Sequence, residues 1–187
     1  MNEVAISNTA STDLALSDDG QQGQYLTFLV GQDKLAIGIH DVNEIIEISN
    51  ITRVPMTPEY IRGVINLRGN VVPVVDLSAR LGHAASEISK RSCIVLVEIV
   101  TGDENQSIGM LVDQVNEILE IPAGNIQAAP EFGSDIRVDF IQAMGRVDDD
   151  FIILLEISKV LSVSELAALN QVTKSVADKV SQDKDET

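Results

Sequence analysis

The sequence is poor in the residues from which most protein chemistry is made. It has no tryptophan and only 3% aromatic residues, so the stacking platforms that grip single-stranded bases are missing. A single cysteine, Cys93, rules out an intramolecular disulfide, and the apolar run Ile94-Val95-Leu96-Val97 behind it predicts a buried, inert thiol. His40 and His83 have no cysteine partners at ligand spacing, which leaves no zinc motif. Basic residues are scarce as well: 13 Lys plus Arg stand against 29 Asp plus Glu, a formal net charge of -16. A surface of that sign repels nucleic acid and anionic lipid. No apolar run reaches the length of a membrane span, and Met1 to Gln24 lacks the cationic and apolar regions of a secretory signal. No Gly-rich loop followed by Lys offers a phosphate cradle, and the carboxylates fall in turns, tails and solvent faces rather than as an acid–base pair. The expectation is a soluble protein of a reducing cytoplasm, with no catalytic residue, metal or cofactor.

What is present is a repeat. Residues 61–81 lie over residues 141–161 at a constant offset of 80 without a gap. Ile61 meets Ile141, Val74-Val75 meet Leu154-Leu155, Asp76-Leu77 meet Glu156-Ile157, Ser78 meets Ser158, and Leu81 meets Leu161. Upstream, Val42-Asn43-Glu44-Ile45-Ile46-Glu47-Ile48 recurs as Val115-Asn116-Glu117-Ile118-Leu119-Glu120-Ile121. A period this long, present only twice, indicates a duplicated small domain rather than a solenoid. Each copy carries about five short β-branched runs separated by turn signals: 25–30, 34–39, 45–48, 63–67 and 71–76 in the first, and 92–100, 107–112, 118–121, 143–147 and 151–156 in the second. Barrel closure removes exposed sheet edges. The expected fold is therefore mainly β: two small five-stranded barrels from the duplication, the first over roughly 25–90 and the second over roughly 91–161. Ser162 with Glu165 three residues later makes a capping box, and Leu166, Leu169, Val172 and Val176 follow at helical spacing, which predicts a terminal helix over 162–177. Single helical turns are expected at 41–44, 58–61 and 77–81. Residues 1–24 are polar and acidic and read as a disordered tail, as do residues 178–187.

The two copies disagree in one informative place. Arg68, at the tip of the hairpin 63–76, stands opposite Asp148 in the tip Asp148-Asp149-Asp150, a reversal of charge on a shared framework. Two readings are open. Arg68 is a solvated turn charge, or it pairs with Glu44 and fixes the hairpin against the 42–45 segment, with Asn66 beside it on the same strand. The second copy would set Glu117 against Asp148 and could not make that pair. Val42, Ile45 and Ile46 are three apolar residues in a run of five, and one strand cannot turn all of them inward. They belong to the core or to a seam between the barrels, where a partner helix could dock.

The segment Gly63-Val64-Ile65-Asn66-Leu67-Arg68-Gly69, followed by Val71-Val72-Pro73-Val74-Val75-Asp76-Leu77, resembles the signature hairpin of the CheW-type chemotaxis coupling proteins. The resemblance extends through 41–45, Ile108-Gly109, residues 126–132 and the terminal helix, covering about 24–172. It implies two SH3-like five-stranded barrels packed around a shared hydrophobic core, with no catalytic activity. It implies an adaptor with two kinds of partner, the cytoplasmic tips of methyl-accepting receptors and the regulatory domain of a histidine kinase. Such a protein would be cytoplasmic, monomeric when free, and recruited to membrane-bound receptor arrays without inserting in the membrane. Carried over by position, Val42, Glu44, Ile45, Gly63, Asn66 and Arg68 match places implicated in receptor or kinase coupling. Gly109 and Ile118 would line the second barrel's side of the receptor groove. A coupling protein of a related surface-motility pathway and a small-ligand sensor using the inter-barrel cleft are the alternatives.

Overall fold

The computed structural model describes residues 23–128 and 138–185. The β-branched runs form the strands β1 (Gln24–Val30), β2 (Asp33–Gly38), β3 (Val42–Glu47), β4 (Ile61–Leu67) and β5 (Asn70–Asp76), closed by the one-turn helix α1 (Leu77–Arg80). The second copy repeats them as β6 (Cys93–Thr101), β7 (Glu104–Val112), β8 (Gln114–Glu120), the short β9 (Ile126–Gln127), β10 (Ile141–Val147), β11 (Asp150–Leu155) and α2 (Ile157–Val160). The duplication is reproduced down to its irregularities. The β4–β5 hairpin has a bulge between Ile61 and Gly63, and the β10–β11 hairpin has one between Ile141 and Ala143, at the same repeat position.

Strand pairing crosses between the copies. One sheet runs β8-β1-β2-β11-β10-β9 and the other β3-β6-β7-β5-β4. The first two strands of each copy thus complete the barrel of the other. β1 pairs antiparallel with β8 and β2 parallel with β11, while β6 pairs antiparallel with β3 and β7 parallel with β5. Barrels contiguous in sequence, 25–90 and 91–161, are therefore corrected: there are two, but each is built from both halves. The physical reason is the duplication itself. Equivalent strand pairs present equivalent ladders, so exchange satisfies the same backbone groups. It also ties each barrel to the other by covalent chain.

The exchange places a common apolar layer between the sheets. Leu26, Phe28, Leu35 and Ile37 from one sheet meet Val95, Val97, Ile108 and Met110 from the other. The alternate side chains fill the two barrel interiors, with Tyr25, Ala36, Ile152 and Leu154 in one. Ile65, Val72, Val74, Ile94 and Leu96 fill the other. Strands buried on both faces read as unbroken apolar runs, which is why Ile94 to Val97 shows no polar alternation.

The terminal helix α3 (Val163–Asp185) starts where the sequence says it should. Ser162 Oγ accepts from the Glu165 N–H at 3.2 Å, and Glu165 Oε2 accepts from the Ser162 N–H at 2.9 Å. Leu166 and Leu169 enter the shared layer. The expected end at 177 and a disordered tail from 178 are corrected: the helix continues to Asp185. No Gly or Pro follows Ala177, and Lys, Gln, Ser and Asp weaken a helix without stopping it. The segment 41–44 is not a helical turn, since a 3₁₀ turn ends at Asp41 and β3 begins at Val42. Of the predicted tail 1–24, residues 1–22 lie outside the described residues, and its end is corrected: Gly23 accepts from the Ile121 N–H and Gln24 opens β1.

Candidate functional site

The tip of the β4–β5 hairpin is a two-residue turn in which Arg68 (φ 51°) and Gly69 (φ 86°) both adopt the left-handed conformation. Two consecutive positive φ values match the right-handed twist of the flanking strands. Gly69 takes that conformation freely, whereas a side chain of the length of Arg does so at some cost. Asn66 supports the turn by accepting the Gly69 N–H on Oδ1 at 3.1 Å. The turn aims Arg68 back across the barrel mouth, where Nη2 donates to both oxygens of Glu44, at 2.8 and 3.0 Å. Of the two readings of Arg68, the paired one is the structure's. Its side chain is nevertheless 71% exposed and that of Glu44 36% exposed. A pair so exposed adds at most about 1 kcal/mol to stability. Its effect is geometric: it holds a fixed charge pattern on the surface.

The other predicted residues separate into surface and scaffold. Ile45, next to Glu44 on β3, is 42% exposed, while Val42 is half-buried against the shared layer. Gly63 is buried behind the hairpin. A Cβ there would lie 2.2 Å from the Thr52 carbonyl oxygen, because the bridge between Thr52 and Val64 passes over it. It shapes the site and presents nothing to a partner. Gly109 is likewise buried, its Cα face closed by Ile94 Cγ2, in the same sheet as the β4–β5 hairpin. Ile118 is 54% exposed but sits on β8, in the other sheet. The structure therefore does not place Gly109 and Ile118 on one barrel. Glu117 is held through its backbone, whose carbonyl accepts from Thr27 Oγ1 at 2.7 Å.

Beside the Arg68–Glu44 pair lies a groove of about 390 Å³, bounded by the hairpin, β7 and the residues Asn170 and Thr173 of α3. It lies in the barrel that carries the hairpin.

Two polar centres escaped the sequence reading. Asp76 is fully buried and accepts from the Ala79 N–H, capping α1, and from the Ser86 N–H and hydroxyl, with Arg62 Nη1 at 3.2 Å. Arg80 lies between the rings of Tyr60 and Phe140, 4.7 and 5.1 Å from their centroids. It donates through Nε to the Val160 carbonyl at 2.6 Å and through Nη2 to Glu165 at 2.9 Å. Arg80 and Val160 occupy the same repeat position, so this cation pins the two copies together on the terminal helix. The signal was available: within the repeated block, Arg80 opposite Val160 is as sharp a mismatch as Arg68 opposite Asp148. Burial pushes the Tyr60 phenol up, with the Glu165 carboxylate adding to the effect and Arg80 opposing it.

Among the described residues, no group of three His, Cys, Asp or Glu side chains is placed to hold a metal ion. Cys93 is half-buried, not buried as the sequence suggested, because it opens β6 rather than lying within it. Asp41 has its carboxyl raised, first by burial and then by the nearby Glu156 carboxylate, with His40 opposing. No helix among the described residues is long and apolar enough to cross a membrane.

Residues 24–165 match the CheW-like domain family. The chain is 30% identical over 152 residues to the chemotaxis protein CheW of Klebsiella aerogenes, covering 81% of this chain and 89% of that one. It is 34% identical over 145 residues to the chemotaxis protein CheW of Rhizobium meliloti, with 78% and 91% covered. Among solved structures, the scaffolding protein TtCheW of Thermoanaerobacter tengcongensis superposes with a TM-score of 0.69 at 33% identity, over 76% of this chain and 89% of that one. The duplicated double barrel, its hairpin and these relatives agree: the chain belongs to the CheW-like family of chemotaxis scaffold proteins.

Proposed function

We propose that the chain couples methyl-accepting chemoreceptor tips to the regulatory domain of a histidine kinase, and that it does so by positioning rather than by chemistry. The observation that carries this reading is the Arg68–Glu44 pair, an ordered and exposed charge pattern on one face of β3, with Ile45 exposed on the other. Rim charges of this kind set register and encounter rate. Val42, Glu44, Ile45 and Arg68 form the contact surface. Asn66 and Gly63 hold its shape, and Gly109 and Ile118 act from behind and from the second sheet. No covalent step is needed, because a bound helix that shifts alters the geometry of whatever the adaptor holds at its other surface. The protein works in the cytoplasm, monomeric when free and concentrated by multivalency at receptor arrays.

The test is capture of a receptor signalling fragment and of the kinase regulatory domain by wild type and by Arg68→Ala. Capture of both, weakened by the substitution with an unchanged circular dichroism spectrum, is the expected result. Equal capture by the variant would remove the hairpin tip from the interface, and capture of neither partner by the folded wild type would end the reading.

A further inference from the structure

The five-stranded sheet is split. β5 and β7 are parallel neighbours, but their ladder holds only from Val74↔Gly109 to Asp76↔Leu111. Below that point each strand remains paired on its outer side, β5 with β4 down to Asn70 and β7 with β6 down to Glu104. The inner sides of residues 70–73 and 105–108 thus diverge without a strand between them. Pro73 sits at the fork and has no N–H to extend the ladder. The groove of about 390 Å³ beside the Arg68–Glu44 pair occupies this split, with Asn170 and Thr173 of α3 alongside it.

One group in the split lacks what burial demands. Gln106 is only 9% exposed, lines the groove, and its Nε2 has no hydrogen-bond partner among the described residues. His83 Nε2 shares that condition but still has the Asp33 carboxylate 3.3 Å away. A buried amide donor without an acceptor is costly, and native proteins keep few of them. The rest of the lining is neutral: Asn43, Asn105, Ser107 and Asn170 offer amides and a hydroxyl, and the two charges, Glu44 and Arg68, are spent on each other. A ligand that fits has uncharged acceptors and donors in alternation and can lie along a strand edge. That is a polypeptide backbone.

The geometry points to the split between β5 and β7 as a docking groove for an extended, uncharged peptide segment of a partner protein, one of whose backbone carbonyls accepts from Gln106 Nε2. The site rests on the adaptor reading for its biological partner, but its chemistry stands apart from it. Strand-edge recognition draws affinity from main-chain hydrogen bonds, so it tolerates varied side chains, with Leu67, Val71 and Leu96 supplying an apolar floor.

The test selects displayed random peptides on the full-length protein and measures the enriched peptides against Gln106→Met and Asn170→Ala. Gln106→Met keeps the unbranched shape and removes the donor. The expected result is binding weakened about tenfold by Gln106→Met, the loss of one buried hydrogen bond. In the free protein the same substitution is expected to leave thermal stability equal or higher, since it removes an unsatisfied group. Bound peptide should slow hydrogen exchange at residues 70–72 and 105–107. No enriched peptide, or peptides that bind Gln106→Met as wild type and protect neither segment, would overturn the proposal. Capture of the receptor fragment and of the kinase domain by the wild type is scored separately. Peptide binding with neither partner captured keeps the groove and rejects the adaptor reading, whereas partner capture without peptide binding does the reverse.

Discussion

The β4–β5 and β10–β11 hairpins share a register, a bulge and a positive-φ residue at the first turn position, Arg68 at 51° and Asp148 at 55°. They differ in almost every side chain that leaves the framework. Arg68 and Glu44 close a pair across the first barrel, while Asp148 and Glu117 carry like charges in the second. Asn66 braces the first turn, and Arg146 stands in its place. Phe151, 55% exposed, replaces Val71. Duplication kept the backbone solution and left the surface free to specialise. The difference also reaches inward: Gly63 lies under a chain crossing that leaves no room for a Cβ, whereas its counterpart Ala143 packs its methyl in a barrel interior.

Substitutions can break this contrast in a graded way. Gly63→Ala should have the largest effect on stability, roughly 2–4 kcal/mol in urea denaturation, because the new Cβ meets the Thr52 carbonyl in a conformation already unfavourable for a side chain. Ala143→Gly at the matching position should cost only about 1 kcal/mol, chiefly in backbone entropy. Arg80→Met comes next at roughly 2–3 kcal/mol, since it removes an ion pair and two ring contacts from a side chain 13% exposed. Arg68→Ala should change stability by less than about 1 kcal/mol while weakening partner capture roughly tenfold. Exchanging the charges, Arg68→Glu with Glu44→Arg, sharpens the point: stability should return, but capture should not if the partner reads the sign of each charge. Asp148→Arg, which offers Glu117 an opposite charge, should leave stability within about 0.5 kcal/mol and should not restore capture lost in Arg68→Ala, because Arg146 and Phe151 remain.

The smallest effect concerns acid. The Asp41 carboxyl is raised in the folded protein, so the native state holds its proton more tightly than the unfolded chain does. Its contribution therefore falls as pH rises from the ordinary carboxylate value through the folded one, and it opposes stability at neutral pH. Asp41→Asn should remove that slope and raise the melting temperature slightly at pH 7, with little change at pH 3.

Much of this was readable from the chain. Ten of the strands lie where β-branched runs are bounded by turn signals, the capping box fixes the start of α3, and the mismatch singles out Arg68, with the pair to Glu44 as one of two readings that the structure decides. Strand exchange was not readable. Periodicity tells a strand which face it buries and is silent on which distant strand it meets, and in a duplicated chain both candidates carry the same pattern. The crowding at Gly63 was hidden for a related reason, since it depends on Thr52 crossing the bulge. Gln106 left no trace at all, because a glutamine in a strand is ordinary until its amide is seen to be buried.

The crossing of strands between copies also sets the order in which the molecule can be made. Leu35 waits for Ile153, its parallel partner 118 positions further along, so a nascent chain cannot close the six-stranded sheet until nearly all of it has left the ribosome, whereas the five-stranded sheet has its last strand once Val112 is made. Pairings so remote in sequence slow folding. The first half released alone would display unpaired edges at β1 and β3, and neither half is a viable ancestor in its present arrangement. Cleaving the loop between α1 and β6 should therefore yield two fragments that are each unstructured alone and that regain the native spectrum only when mixed.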